Sequence, residues 1–582
     1  MDRRQFLNRG AALAAAWPRA AAGAAARPNV LVILTDDQGY GDFSCHGNPV
    51  LKTPNMDRLH SQSVRFTDFH SAPMCTPTRG QLMSGLDALH NRATSVTAGR
   101  AVLRRDVPTM ADVFGQSGYA TGVFGKWHLG DNYPYRPMDR GFQEAKYFKG
   151  FGMSSVPEFD NDYMNGRYLD RGVRRNFKGY CTDFWFGEAM NWMGQQQKKG
   201  QPFFCYLPTN TPHGPAWVAE EWQAPYKRNK LPAAFFGMIA NLDWNLGKME
   251  QFLASTGLRE NTIVVFMTDN GGTGGVNVFN AGLRARKTQI YDGGHRVPCF
   301  VRWPGGGLRA PGDIAVPAQM QDILPTLIDL CGLKKPATKF DGASLAGLLK
   351  GASQTIADRM LVVQYGQILK KWDSCVIWGK WRLVNGGELY DIHADRAQEK
   401  DIAAQNPGVV KRMRDHYEKW WAGVEPDLRD FQPISIGAPQ ENPVSLTSSD
   451  WEEVYADNLR TLSAAEGGPR GGPWNVFVER DGAYEIALSR WPAEARLPLN
   501  AGRPVQKLTF GELPEGVAVP IAGAKLTVAG QELSVKTEPA DTAAKFRVTL
   551  KGRTRTKLHG WFQNPRGEDV CGVYYATVTR LS

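Results

Sequence analysis

Four strand-length apolar runs, each ending in a cluster of polar or charged side chains, constrain the fold of this chain more than any other feature. Val30-Leu31-Val32-Ile33-Leu34 leads into Thr35-Asp36-Asp37, and the run at 120–124 into Gly125-Lys126-Trp127-His128. The run at 203–207 is followed by Thr211-Pro212-His213, and that at 263–267 by Thr268-Asp269-Asn270-Gly271. A strand that is apolar on both sides of its pleat must be covered on both faces, the condition of a largely parallel sheet sandwiched by helices. In such α/β sheets ligands bind beyond the carboxyl ends of the strands, so the pattern predicts that the four clusters converge on one site. Helical segments fall between the runs. Thr53-Pro54 opens one that places Met56 and Leu59 inward, Thr109 caps another, and 233–255 puts Met238, Leu242, Leu246 and Met249 on one face. These apolar stripes read as core.

The same rhythm runs from 27 to 354, and at 582 residues the chain is too long for that domain alone. Short strand-like runs at 361–365, 374–378, 381–384 and 388–390, closed by an amphipathic stretch at 407–422, predict a small antiparallel-sheet subdomain with a helix over 355–431. Residues 432–448 read as a linker. Residues 449–582, with runs at 474–478, 484–488, 507–510 and 570–578, read as a β-rich, sandwich-like accessory domain. A hydrophobic content of 42% and a charged content of 22% exclude a disordered chain, a collagen-like repeat and a coiled coil. No run is long enough to span a membrane.

The N-terminus carries Arg3-Arg4, a weakly apolar Ala-rich middle and small residues at Ala24-Ala25-Ala26, the pattern of a twin-arginine export signal over residues 1–26. The expected location is periplasmic or secreted, reached in the folded state. The leader holds a net charge of +3 of the chain's +11, leaving +8 on the remainder. That balance favours anionic partners without naming them. The eight cysteines include no C-x-x-C pair and no zinc-finger spacing. Cys205 and Cys299 lie in apolar runs and read as buried.

Cys75 differs, because Cys75-Thr76-Pro77-Thr78-Arg79 precedes a helical stretch whose unpaired N–H groups favour an anion. A buried thiol beside a turn proline is the plain alternative. Asp36, Asp37, Asp269 and Asn270 supply hard oxygen donors at two strand ends, suited to calcium or magnesium. Singly they are ordinary turn residues; at matching strand ends they read as a shared divalent site. Lys126, His128, His213 and Lys287 add a basic group that would hold a tetrahedral oxyanion.

With these motifs in this order the chain resembles the type I, arylsulfatase-like sulfatases of the alkaline phosphatase superfamily, from Pro28 to about residue 425. The resemblance implies an alkaline-phosphatase-like fold and a sulfuric ester hydrolase. Cys75 would be converted to formylglycine by a maturation enzyme acting on the C-x-P-x-R pentad. Its hydrated aldehyde would attack sulfur through a covalent sulfo-enzyme and then expel sulfate. Position by position, Asp36, Asp37, Asp269, Asn270 and residue 75 match the ligands of one calcium ion. Arg79 and Lys126 match the groups that steady the formylglycine, and His128 its hydrogen-bond partner. His213 and Lys287 match the residues that bind sulfate and assist departure of the leaving oxygen, His213 as proton donor. Arg284 and Arg286 are candidates for added anion affinity, and His46, His70 and His295 for lining the site. The expected substrate is a sulfated small molecule or glycan, contacted by the Tyr-, Phe- and Arg-rich segment 131–180, with no nucleic acid partner. A formylglycine-dependent phosphonate monoester or phosphodiester hydrolase and a non-catalytic glycan-binding protein are the alternative readings.

Overall fold

A computed structural model describes residues 27–153, 155–228, 231–464 and 470–582. The leader read at 1–26 lies outside the described residues. The apolar runs form the centre of a ten-stranded sheet. Thr262–Thr268, Asn29–Thr35, Phe203–Pro208, Ala120–Lys126 and Glu144–Phe148 lie side by side in that order and are all parallel. Cys299–Arg302 adds antiparallel to Thr262–Thr268, and further short strands extend both edges, so the sheet is mixed.

Burial on both faces is visible along the first strand. Val30, Val32 and Leu34 enter one core with Leu82, Phe114 and Leu327. Leu31 and Ile33 enter a second core with Trp185, Leu242 and Leu246. The helices Cys75–Ser84, Met110–Gln116 and Ile323–Cys331 cover the first face, and Cys181–Lys198 and Ala233–Ser255 the second. Thr109 caps Met110–Gln116 in a reciprocal capping box with Asp112. At Pro54–Ser61 the orphan N–H groups of Asn55 and Met56 are satisfied by Asp243 from Ala233–Ser255, at 3.0 and 2.8 Å, so the cap is tertiary and Thr53 does not supply it.

The small subdomain forms as the sequence predicts. Leu361–Gln364, Ser374–Trp378, Trp381–Val384 and Glu388–Asp391 make an antiparallel meander, and Pro407–Val424 packs on it through Met413, Tyr417 and Trp421. The segment read as a linker at 432–448 instead contributes two strands. Ile434–Ile436 pairs with Trp474–Val478, and Val444–Thr447 pairs with Tyr575–Arg580. Alternating apolar residues Ile434, Ile436, Val444 and Leu446 explain this, because all four are buried in the C-terminal core. That core lies between two sheets, with Val476, Leu526 and Leu558 from one and Tyr484, Ile486 and Val578 from the other. The run at 507–510 yields only the two-residue strand Gln506–Lys507, since Phe510 turns away to pack beside Tyr180. The run at 570–578 divides into Asp569–Gly572 and Tyr575–Arg580, which join different sheets.

Candidate active site

The register of the parallel strands determines what meets at their carboxyl ends. Thr35 sits opposite Thr268 and Leu34 opposite Pro208, so Asp36-Asp37, Asp269-Asn270 and the segment after Pro208 emerge side by side. Lys126 ends the next strand. Gly125 makes this possible: with φ of 128°, its position would place a Cβ only 1.9 Å from the Pro208 carbonyl oxygen. The helix Cys75–Ser84 points its first turn into the same space, with Thr78 Oγ1 donating to the Ala72 carbonyl at 3.0 Å to fix its entry.

Cys75 lies at the centre. Its Sγ is 3.5 Å from Asp36 Oδ1, Asn270 Oδ1 and Lys287 Nζ alike, and the residue is buried. Arg79, one turn along the helix, donates from Nη2 to Asp269 Oδ2 at 2.8 Å and to Asp36 Oδ2 at 3.3 Å, and from Nη1 to the Lys126 carbonyl at 3.0 Å. Lys126 Nζ donates to Asp36 Oδ2, and Lys287 Nζ to Asp37 Oδ1 at 2.5 Å. Asn270 Nδ2 donates to Asp37 Oδ1 at 2.9 Å, which turns its amide oxygen toward Cys75. His213 holds its Nδ1 proton against the Gly214 carbonyl at 2.7 Å and directs Nε2 toward Asp37 Oδ2, 3.8 Å away. His128 presents a buried Nδ1 with no partner, its Nε2 lying 3.4 Å from the Val96 carbonyl. Asp36, Asp37, Cys75, Arg79, Lys126, His213, Asp269, Asn270 and Lys287 therefore meet in one cluster, with His128 beside it.

The electrostatics follow from this crowding. Burial, then the neighbouring Asp269 and Asp37, push the Asp36 carboxyl up to about 7 despite Lys126 and Arg79. Burial also acts to raise Asp37, but Lys287 beside it and the hydrogen bond from Asn270 outweigh that and hold it below the usual carboxylate range. Burial and the carboxylates raise the Cys75 thiol, so it stays protonated and is a poor nucleophile as it stands. Burial pushes His213 down to about 3, leaving a neutral imidazole, whereas Lys287 stays cationic because the carboxylates around it, Asp37 first, outweigh its burial. Donor atoms of Asp36, Asp37, Cys75 and His213 lie within 4.8 Å of one another. Like charges this close, ringed by hard oxygens, fit a calcium-class cation.

Several predicted lining residues lie elsewhere. His70 and His295 touch each other, Nδ1 to Nδ1 at 2.9 Å, inside a buried network. There Arg382 of the small subdomain donates to Asp68 at 2.6 Å and to Asp292 at 3.0 Å. This network joins two domains and does not face the Cys75 cluster. Arg284 donates to the Gln398 carbonyl at 2.6 Å and stacks 3.8 Å from the Tyr291 ring, while Arg286 is exposed. Of the segment 131–180, Phe151 comes to the site, its ring 5.5 Å from His213, and Tyr163 donates to the His213 carbonyl at 3.0 Å.

Tyr365, Tyr455 and Asp457 join the surroundings without any motif to announce them. Tyr365 packs with Cys75, Met74 and Val96. The Asp457 carbonyl accepts from Val156 N at 2.9 Å and Asn458 bridges to Ser155, which brings the chain after Val444–Thr447 against the Phe151 loop. Their distance along the chain left no local pattern by which to find them.

Known proteins resemble this chain in sequence and in fold. A family model described as Sulfatase matches residues 28–333. N-acetylgalactosamine-6-sulfatase of Canis lupus familiaris is 29% identical over 508 residues, covering 78% of this chain and 95% of that protein. Arylsulfatase G of Rattus norvegicus is 30% identical over 468 residues, covering 72% and 84%. The crystal structure of Ps i-CgsB in complex with k-i-k-neocarrahexaose aligns with a TM-score of 0.63 at 27% identity, over 70% of this chain and 94% of that one. With the family model spanning more than half of the sequence over the very strands that build the site, the chain belongs to the sulfatase family, as a type I sulfatase of the alkaline phosphatase superfamily, and is a sulfuric ester hydrolase.

Proposed function

We propose that the protein removes sulfate from a sulfated carbohydrate, with residue 75 acting as formylglycine. The observation that carries this reading is the position of Cys75, 3.5 Å from a carboxylate, an amide oxygen and an ammonium at once. A thiol held protonated there has little use, while a hydrated aldehyde supplies one hydroxyl to attack sulfur and a second that lets sulfate leave. Asp36, Asp37, Asp269 and Asn270 would hold the calcium ion, which supplies positive charge against the sulfate oxygens.

The chain's own residues do the rest. Lys287 binds a sulfate oxygen, its charge preserved by Asp37. Arg79 and Lys126 orient residue 75 by fixing Asp36, and the vacant Nδ1 of His128 accepts a hydrogen bond from it. His213 is neutral at rest with the Nε2 lone pair facing inward, so it collects a proton once the sulfate charge arrives and delivers it to the departing oxygen. Phe151 beside His213, Tyr365 beside Cys75 and the 39%-exposed Tyr455, which has Lys287 among its charged neighbours, would supply an aromatic rim suited to a sugar ring. The carbohydrate names of the related N-acetylgalactosamine-6-sulfatase and of the neocarrahexaose complex support the same class. Export by a twin-arginine route, after conversion of Cys75 in the cytoplasm, suits a protein that meets such substrates outside the cell.

The test is release of inorganic sulfate from a panel of sulfated oligosaccharides by the matured enzyme and by Cys75→Ala. Release by the first and none by the second is expected. Turnover of aryl sulfates with no glycan desulfated, or faster cleavage of an aryl phosphonate monoester, would overturn the substrate reading.

A further inference from the structure

A second group of metal-ligating side chains lies apart from the Cys75 cluster and shares no residue with it. Cys45 and His46 sit on the short 3-10 turn Ser44–His46, and His60 on the helix Pro54–Ser61. Their donor atoms lie within 4.8 Å of one another, and all three residues are half-buried. Cys45 is the one cysteine of the eight that is not fully buried.

The surrounding structure holds these side chains in place. Asp57 accepts from Cys45 N at 2.9 Å and from Ser44 Oγ at 2.6 Å, which staples the turn to the helix that carries His60. His46 Nδ1 donates to the Tyr40 carbonyl at 2.7 Å, leaving Nε2 with its lone pair free, the arrangement by which outer partners orient a metal-binding imidazole. Its ring stacks on Tyr40 at 4.1 Å and meets His60 edge-on at 5.7 Å, and Phe300 packs against both. Burial keeps both imidazoles neutral. Beside them opens a cleft of about 490 Å³, also lined by Arg65 and Arg396. Arg65 is paired with Asp313 at 2.6 Å, and Arg396 lies 5.5 Å from the centre of the Tyr40 ring.

We propose that Cys45, His46 and His60 form a site for a divalent transition-metal ion of the zinc class, with its fourth position open to the cleft. One sulfur and two imidazoles are the donors that borderline and soft ions select over calcium. Tetrahedral zinc with these ligands needs donor separations of about 3.5 Å, so a small rotation of the half-buried His60 closes the site. Binding displaces the thiol proton, and affinity rises with pH accordingly.

Cobalt(II) is the probe, added to the full-length, matured, calcium-loaded enzyme, in which Cys75 is no longer a thiol and the other six cysteines are buried. One equivalent is expected to produce a thiolate-to-cobalt charge-transfer band that added zinc abolishes. Cys45→Ser removes the band, and His60→Ala weakens zinc binding by more than the roughly 10- to 100-fold typical for loss of an outer partner. Both variants retain sulfate release within about twofold, which shows that they fold. No band in the unaltered enzyme at excess cobalt, or zinc affinity unchanged in His60→Ala, would overturn the proposal.

Discussion

The carboxylate cluster makes calcium affinity a measurable function of pH. In the metal-free enzyme Asp36 is held near 7 by burial, Asp269 and Asp37, so below that pH a proton occupies the oxygen that the proposed calcium ion would require. The sign follows from the raised value. The metal-free folded state binds this proton more tightly than the unfolded chain does, so the group's contribution to metal-free stability falls as pH rises from about 4 to about 7. Calcium therefore adds most at and above pH 7. Well below 7 each unit weakens apparent affinity about tenfold, or 1.4 kcal/mol, so a group titrating near 7 gives about 50-fold between pH 7 and pH 5 and about twofold from 7 to 8. Calorimetric calcium titration of the chelator-stripped enzyme at pH 5, 6, 7 and 8 measures this directly. Asp36→Asn binds calcium more weakly at pH 8 but loses most of the slope. Equal affinity at pH 5 and 7 in the unaltered protein, or the full slope in Asp36→Asn, would refute the reasoning.

Three further outcomes follow from the same geometry. Lys287→Ala lowers kcat for an aryl sulfate by about 100- to 1,000-fold, the usual consequence of removing one preorganised charge from a site of developing negative charge; a loss below tenfold contradicts its role. Arg382→Ala leaves the buried Asp68 and Asp292 with only the longer arginine contacts, to Arg296 at 3.8 and 3.4 Å, and destabilises the protein by about 3 kcal/mol in urea titrations, and a loss under about 1 kcal/mol would show the network to be incidental. Tyr455→Ala raises KM for a glycan substrate by about two- to tenfold, equivalent to roughly 0.5–1.5 kcal/mol of ring stacking, and leaves small aryl sulfates unaffected; equal effects on both would remove it from the sugar rim.

The cluster around Cys75 was readable in the sequence because strand burial and strand register are local properties with long-range consequences. Continuous apolar runs required a sheet covered on both faces, and that sheet brought Asp36, Lys126, His213 and Asp269 together across 233 positions of chain. Side chains positioned by tertiary contacts alone gave no such signal. His70 and His295 look like site residues beside the motifs, yet Arg382, more than 300 positions from His70, draws Asp68 and Asp292 into an interdomain network with them. Arg284 looks like an anion ligand until Tyr291 and Gln398 take its guanidinium. The strands within 432–448 were hidden by Pro and Gly neighbours, although the alternation of Ile434, Ile436, Val444 and Leu446 was present. Tyr365, Tyr455 and Asp457 reach the site only through the packing of later segments on the catalytic domain.

Peptide mass spectrometry of the segment containing residue 75, on protein from the native organism or from a host that makes formylglycine, reads the proposed nucleophile itself. The aldehyde or its hydrate is expected at position 75, together with sulfate release that scales with the converted fraction. A fully active enzyme carrying only the unmodified Cys75 thiol would contradict the proposed role of residue 75.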